Sequence, residues 1–327
     1  MVKALYVYLV RHAESKNNSR DLHDVSVMNL PSPLASPLAS PTARHLSPVA
    51  CEGRGVKLIK LSEDDSTSQQ AETDLLHSPR PGREPDPGLT ERGKEQAKAV
   101  ADLLQKIRDD PKTERRLRPQ FVYTSGFLRA LETCQPIAES LSLPPQFHSD
   151  LHEEGGVFAG PRRGVRLESY PMHYGMNGGQ MCDVLPGLTG TDNVPEQGWW
   201  GGGQEAPEEA QLRARRCAEW LWKLAEERGA NEDYKSESSG AVVCVTHGLF
   251  MDRLIKALAG LDPHLGSVIF MSFNCAYWLV QLRLDHDPER PRIAVMAASN
   301  VIDHVPMSIR TGHSICGIAH CQPSYDV

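Results

Sequence analysis

The sequence predicts a three-layer α/β domain, and three observations support this fold class. Short apolar runs rich in β-branched and aromatic residues occur at 4–10 and 241–246, which is typical of strands buried on both faces. Amphipathic helical segments alternate with such runs over most of the chain, as expected for helices that cover a central sheet. The chain has 327 residues, of which 40 % are hydrophobic, so it has enough apolar material for a substantial core.

The individual elements are predicted in chain order from their hydrophobic periodicity. The strand at 4–10 ends directly before the pair Arg11-His12, and Thr90 is a suitable N-cap for the first long helix. The remaining predictions are strands at 121–124, 241–246, 268–273, 277–284 and 293–298 and helices at 90–107, 127–141, 207–228 and 249–259.

Two internal segments lack regular periodicity. Residues from about 19 to 86 are rich in Ser, Pro and charge, with a near repeat PLASPLASP, and this composition indicates a mostly disordered insertion. Residues from about 155 to 203 are glycine-rich and indicate a long cover loop. We therefore expect a single domain over 1–310, interrupted by these two segments, with a tail at 311–327.

The overall charge excludes several classes of partner. A formal charge of −7 argues against a general binder of nucleic acid or acidic membranes, so any anion site must be built locally. No apolar run is long enough to span a bilayer and no cleavable signal is evident, so we expect a cytoplasmic protein. The eight cysteines are scattered, which indicates reduced thiols. No metal site is expected, because the tail residues His313, Cys316, His320 and Cys321 lack the usual paired zinc spacing.

Charged and titratable side chains follow three of the predicted strands. Arg11 and His12 follow the first strand, Arg129 follows the second, and His247 follows the strand at 241–246. Ligands of α/β sheets bind outside the carboxyl ends of the strands, where helix N-termini can also hold an anion. Two imidazoles and two guanidinium groups at this edge therefore predict a pocket for a dianionic phosphoryl group.

Five short motifs, at 9–15 (LVRHAES), 88–93 (GLTERG), 123–133 (YTSGFLRALET), 245–248 (VTHG) and 274–276 (NCA), occur in an order that resembles one family. They are similar to the motifs of the histidine phosphatase, or phosphoglycerate mutase-like, superfamily. The resemblance implies an α/β/α sandwich with a mostly parallel central sheet, of the phosphoglycerate mutase-like type. It also implies catalysis without a cofactor.

The resemblance further implies a division of roles in phosphoryl transfer. His12 would attack phosphorus and form a phosphohistidine, which requires a neutral imidazole whose tautomer is set by a partner. Backbone carbonyls near Gly248 or in the loop after Ala13 are the candidates for this partner. The residues implied to hold the phosphoryl oxygens are Arg11, Arg129 and His247, and Ser15, Asn18 and Gly248 occupy further substrate-binding positions.

A proton donor for the leaving group is implied at the LHEEG segment. Glu153 matches the family's spacing from Leu151 better, whereas Glu154 matches members in which the acid directly precedes a glycine-containing turn. We favour Glu153 as the donor, keep Glu154 as a substrate-binding candidate, and expect the donor to have a raised pKa.

The preferred function is a metal-independent phosphatase that hydrolyses a small phosphorylated substrate, with a phosphoprotein as an alternative substrate. A phosphoglycerate-type phosphomutase and a non-catalytic regulatory protein on the same scaffold are the rival functions. The cover loop holds Arg162, Arg163 and Arg166, which are either a second anion site or a solvated charge run, and Trp199 and Trp200, for which core packing is favoured. The oligomeric state stays open, with a homodimer among the options.

Overall fold

The computed structural model describes residues 3–23, 84–157, 172–229 and 240–312, except 264, 265, 267, 286, 288 and 290. Six strands form one sheet: β1 (Lys3–Arg11), β2 (Pro119–Thr124), β3 (Pro145–Phe147), β4 (Ala241–Thr246), β5 (Tyr277–Leu284) and β6 (Arg292–Val301). The helices of the described ranges are α1 (Lys16–His23), α2 (Glu91–Asp109), α3 (Leu128–Leu141), α4 (Gly178–Val184), α5 (Pro207–Arg228) and α6 (Gly248–Leu258), with short 3₁₀ helices at Arg115–Leu117, Ser149–Leu151 and Met307–Ile309.

The sheet has the order β3-β2-β4-β1-β5-β6 and is parallel across its first four strands. β5 and β6 extend it in antiparallel fashion. Val245 of β4 is in register with Val10 of β1 and Thr124 of β2. The carboxyl ends of these three central strands therefore lie side by side, as the predicted fold class requires.

Two hydrophobic cores lie on opposite faces of the sheet. Tyr8 and Val10 of β1 pack in a cluster with residues of α2 and α3, whereas Val7 and Leu9 pack in a cluster with α5 and α6. Both faces of β1 are thus covered, which explains why its sequence is apolar at nearly every position. The three-layer arrangement predicted from the sequence is confirmed.

Most predicted elements are found within a few residues of their expected bounds. Thr90 caps α2, because its side-chain oxygen accepts a hydrogen bond from the Gly93 amide. The cysteines in the described ranges carry free thiols, as expected. No helix of these ranges has the length and hydrophobicity needed to cross a membrane.

The prediction of an irregular insertion from residue 19 to 86 is wrong at its two ends. Residues 19–23 belong to α1, and the side-chain amide of Asn17 bonds both the amide and the carbonyl of Glu84 at 3.2 and 2.8 Å. These two hydrogen bonds attach Glu84, where the described residues resume, to α1. Residues 24–83 lie outside the described residues.

The prediction of a loop without helix at 155–203 is also wrong in part. α4 forms there because Asn177 and Gln180 make a reciprocal capping box, which satisfies backbone amides at the helix start. Trp199 is buried against Phe127 and Phe147, so the core packing favoured for it is confirmed. Residues 158–171, which include the three arginines of the predicted loop, lie outside the described residues.

The strand predicted at 268–273 is absent, although these residues are described. Their backbone groups bond side chains instead of a neighbouring strand. The Phe270 amide donates to Asp252, the Phe273 amide donates to Asn300, and the Ser272 carbonyl accepts from Arg11. The apolar pattern predicts a strand here incorrectly, because side chains take the backbone hydrogen bonds that a neighbouring strand would otherwise make.

Candidate active site

The loops after β1, β2 and β4 are joined by backbone hydrogen bonds at the carboxyl edge of the sheet. The His12 amide donates to the Thr246 carbonyl at 2.8 Å, and the Ser125 amide donates to the Val245 carbonyl at 3.1 Å. The rings of His12 and His247 consequently lie with their centroids 5.0 Å apart. The structure therefore brings together the two histidines that the sequence placed 235 positions apart.

His12 is buried and has a defined tautomer. Its Nδ1–H donates to the Ala13 carbonyl at 2.6 Å, so Nε2 carries the lone pair and lies 3.3 Å from Nε of Arg129. Burial holds the pKa of His12 well below its usual range, and the charges of Arg129 and Arg11 lower it further. The ring is thus neutral, and the carbonyl that orients it belongs to Ala13 rather than to the Gly248 region.

Arg129 lies between His12 and a carboxylate that the sequence analysis did not single out. Its guanidinium carbon stacks 4.1 Å from the centre of the Phe127 ring. Its Nη1 lies 3.9 Å from Oδ1 of Asp86, near the N-terminus of α3. The position of Asp86 beside the GLTERG motif was the available sequence signal for this neighbour.

Backbone carbonyls bind the Arg11 guanidinium, and two glycines lie close to it. Its Nη1 donates to the carbonyls of Ser272 and Gly312 at 2.5 and 3.0 Å. A Cβ at Gly248 would lie 3.1 Å from Nε, and a Cβ at Gly312 would lie 2.7 Å from Nη1. The absence of a side chain at Gly248 therefore leaves space for the Arg11 guanidinium, and substrate binding by Gly248 stays a prediction.

His247 has one ring nitrogen bonded to Ser125. Its Nε2 lies 2.9 Å from Oγ of Ser125, which also accepts a long hydrogen bond from the Phe127 amide at 3.4 Å. A hydroxyl has one proton and two lone pairs, so Ser125 can accept from this amide and either donate to Nε2 or accept from it; donation to Nε2 leaves the ring proton on Nδ1. Burial lowers the pKa of His247 well below its usual range, and the charge of Arg129 lowers it further, so this ring is neutral as well.

The two candidate acids occupy different environments. Oε1 of Glu153 accepts the amide of Phe250 at 3.0 Å, in the first turn of α6, which begins directly after His247. Glu154 forms a two-point ion pair with Arg253, at 2.7 and 2.8 Å, and both side chains are buried. Glu153 is thus tied to the helix start beside His247, whereas the carboxylate of Glu154 is committed to Arg253.

Ser15 and Asn18 are bonded to each other at the start of α1. The amide and hydroxyl of Ser15 both donate to Oδ1 of Asn18, at 3.2 and 3.1 Å. Ser15 also forms an isolated bridge with Leu89. Their phosphate contacts stay a prediction. In the ranges that the structure covers, no group of three or more His, Cys, Asp or Glu residues could hold a metal ion. His313, Cys316, His320 and Cys321 lie outside the described residues.

The fold is that of a three-layer α/β protein in which buried histidine and arginine side chains lie together at the carboxyl edge of the parallel strands. A family model, described as the histidine phosphatase superfamily (branch 1), matches residues 71–297, and the chain belongs to this family. Membership places it among proteins of phosphatase or mutase type. The matched range includes Arg129, Glu153 and His247 but begins after His12, so His12 is linked to them by geometry.

The chain is similar to several solved structures. They include mycobacterial hydrolase 2 (16% identity, covering 94% of this chain and 95% of that chain, TM-score 0.46). A mycobacterial glucosyl-3-phosphoglycerate phosphatase is 17% identical, with coverage of 92% and 99% and a TM-score of 0.43. The ecdysone phosphate phosphatase of Bombix mori is 15% identical, with coverage of 89% and 92% and a TM-score of 0.45. No curated protein matches the chain.

Proposed function

We propose that the protein is a phosphomonoester hydrolase that transfers the phosphoryl group first to His12 and then to water. The observation that carries this proposal is the state of His12: a buried, neutral imidazole whose Nε2 lone pair faces the guanidinium of Arg129 at 3.3 Å. A neutral nucleophile beside a cation suits attack on a dianionic substrate.

In the first step the lone pair of Nε2 forms a bond to phosphorus while the bond from phosphorus to the ester oxygen breaks. Before this attack, as substrate enters, Arg129 turns its Nε–H from His12 to a phosphoryl oxygen and so frees the lone pair, and Arg11 binds another oxygen. In the second step water attacks the phosphohistidine, the bond from Nε2 to phosphorus breaks, and inorganic phosphate leaves. Catalysis depends mainly on placing cations and donors around the transferred group.

His247 is proposed to donate from Nδ1 to a phosphoryl oxygen. The Ser125 contact occupies Nε2, and Nδ1 is buried without a hydrogen-bond partner within the described residues. A phosphoryl oxygen would satisfy this donor and would remove the cost of leaving it unbonded.

Glu153 is proposed to protonate the leaving alkoxide and then to take a proton from the attacking water. Its position at the start of α6 supports this choice, because Glu154 would first have to break its ion pair with Arg253. The pairing of Glu154 therefore favours a structural role for that residue.

The test is an assay of the pure protein against phosphorylated sugars, glycerates, nucleotides and phosphopeptides, with and without a metal chelator. We expect phosphate release that survives chelation and is abolished in His12→Asn, a variant whose folding is checked by thermal unfolding. Isomerised product without phosphate would instead support a mutase. Absence of turnover on every substrate would support the regulatory function, and activity on phosphopeptides alone would identify a phosphoprotein phosphatase.

A further inference from the structure

Asp86 is a largely buried carboxylate beside the candidate active site. Its side chain is 16% exposed, and its Oδ1 accepts the amide of Leu128 at 2.9 Å, at the first residue of α3. Its Oδ2 is buried and has no hydrogen-bond partner among the residues that the structure describes. One oxygen of this carboxylate therefore lies unsatisfied in the interior.

The Asp86 carboxylate and His12 lie next to different nitrogens of the Arg129 guanidinium. Nη1 of Arg129 is 3.9 Å from Oδ1 of Asp86, whereas Nε is 3.3 Å from His12. The Phe127 ring covers the face of the group at 4.1 Å. A guanidinium is a rigid plane, so contacts at one nitrogen and one face set the direction of the remaining N–H bonds.

Holding Asp86 in this place is costly to the fold. Burial raises its pKa to about 6, and the carboxylate of Glu132 acts in the same direction, while Arg129 and the Leu128 amide oppose the shift. Ionised groups kept in unfavourable surroundings are concentrated at functional sites. The capping contact with Leu128 alone would be made as well by a neutral Asn or Ser.

We propose that Asp86 is a positioning residue that orients Arg129 toward the nucleophile and the phosphoryl group. The inference rests on the proposed function of the His12 site. When substrate enters, the guanidinium exchanges His12 for a phosphoryl oxygen while Asp86 retains the Nη1 side. Without the carboxylate, Arg129 would lose the contact that positions its Nη1 side and would bind the phosphoryl group in fewer productive orientations.

The test compares Asp86→Asn and Asp86→Glu with wild type, and uses Glu84→Gln as the matched control. Asn keeps a cap for α3 and removes the charge, and Glu restores the charge. Glu84 lies two residues before Asp86 in the chain, and its carboxylate forms a solvent-exposed ion pair with Lys16 within the described residues. We expect kcat/KM of Asp86→Asn to fall roughly tenfold or more, as is usual when a residue that orients a binding group is removed. Asp86→Glu should recover part of the loss, and Glu84→Gln should behave as wild type.

Three further measurements separate orientation from folding. Vanadate inhibition should weaken in Asp86→Asn, while its thermal midpoint should equal or exceed that of wild type. The acid limb of the kcat/KM profile that reflects Asp86, centred near pH 6 in wild type, should disappear in the variant.

Three outcomes would overturn the proposal. Unchanged kcat/KM, vanadate affinity and pH profile in Asp86→Asn would show that the carboxylate does not act on Arg129. A loss of activity that merely follows a lowered thermal midpoint would show a structural role. A loss confined to alkyl phosphates, with full activity on an aryl phosphate that needs no proton donor, would make Asp86 an acid. If His12→Asn keeps full activity, the proposed function fails, and this result is distinct from all three.

Discussion

At the scale of single residues, hydrogen bonds determine which nitrogen of each imidazole can act. The Ala13 carbonyl places the proton of His12 on Nδ1, whereas the Ser125 hydroxyl occupies Nε2 of His247 and leaves its Nδ1 without a hydrogen-bond partner among the described residues. His12 thus offers the lone pair of Nε2, and Nδ1 of His247 is the nitrogen proposed to bind a phosphoryl oxygen. Two residues of the same type can therefore serve as nucleophile and as oxygen binder.

The two glutamates of the LHEEG segment should respond differently to loss of charge. Glu153→Gln should lower kcat on alkyl phosphates by on the order of 10²-fold or more, because the leaving alkoxide loses its acid, with a smaller effect on aryl phosphates. Glu154→Gln should instead lower the free energy of unfolding by about 3 kcal/mol, because Arg253 is left buried without its carboxylate.

Steady-state kinetics on both substrate classes, together with chemical denaturation of each variant, check this pair of predictions. The opposite pattern, with stable but inactive Glu154→Gln and active Glu153→Gln, would exchange their assigned roles.

At the scale of secondary-structure elements, the N-terminus of α6 organises the second half of the site. His247 precedes the helix, the Glu153 carboxylate accepts the amide of its third residue, Phe250, and Gly248 makes room for Arg11. A helix start carries a partial positive charge, which favours both the carboxylate and a bound phosphoryl group.

Gly248→Ala should weaken substrate binding without unfolding the protein. The new methyl group would lie 3.1 Å from Nε of Arg11 and would displace a guanidinium that backbone carbonyls hold from the other side. We expect KM and the vanadate inhibition constant to rise, with little change in the thermal midpoint, since Gly248 is the first residue of α6, has no positive φ, and alanine is a good helix former. Gly260→Ala is an unsuitable control because of its positive φ, so Lys98→Ala on the exposed face of α2 serves instead. A wild-type KM in Gly248→Ala would show that Arg11 does not bind the substrate.

The elements that the sequence predicted correctly are those whose pattern directly reflects burial. β1 and β4 are covered on both faces and therefore read as continuous apolar runs, and α5 has regular helical spacing. The segment 268–273 has a similar apolar pattern but bonds side chains of Asp252 and Asn300. Those partners are distant in sequence, so local pattern could not reveal them.

At the scale of the whole molecule, the parallel sheet assembles the site from segments that lie far apart in the chain. The order β2-β4-β1 places three loop regions at one edge, and the antiparallel β5 follows the Asn274 turn. Nδ2 of Asn274 donates to the His12 carbonyl at 2.9 Å, so this turn also braces the loop that carries the nucleophile. The sheet topology is thus the reason that short, separated motifs can form one pocket.

The sequence predicts which residue types follow the strand ends and therefore lie near one another, but it does not predict the contacts among their side chains. The placement of His12, Arg129 and His247 follows from strands of one parallel sheet. The roles of Ser125 and Asp86 depend on side-chain directions and on the packing of Phe127, which neither spacing nor periodicity contains.

The most direct test of the account is rapid-quench labelling with a radiolabelled phosphomonoester, followed by mapping of the modified peptide. Wild type should show a phosphoprotein that is labile to acid and stable to base, with the phosphoryl group on Nε2 of His12, formed at least as fast as turnover. His12→Asn should show no label. Turnover without such an intermediate, or label on any residue other than His12, would contradict the central claim.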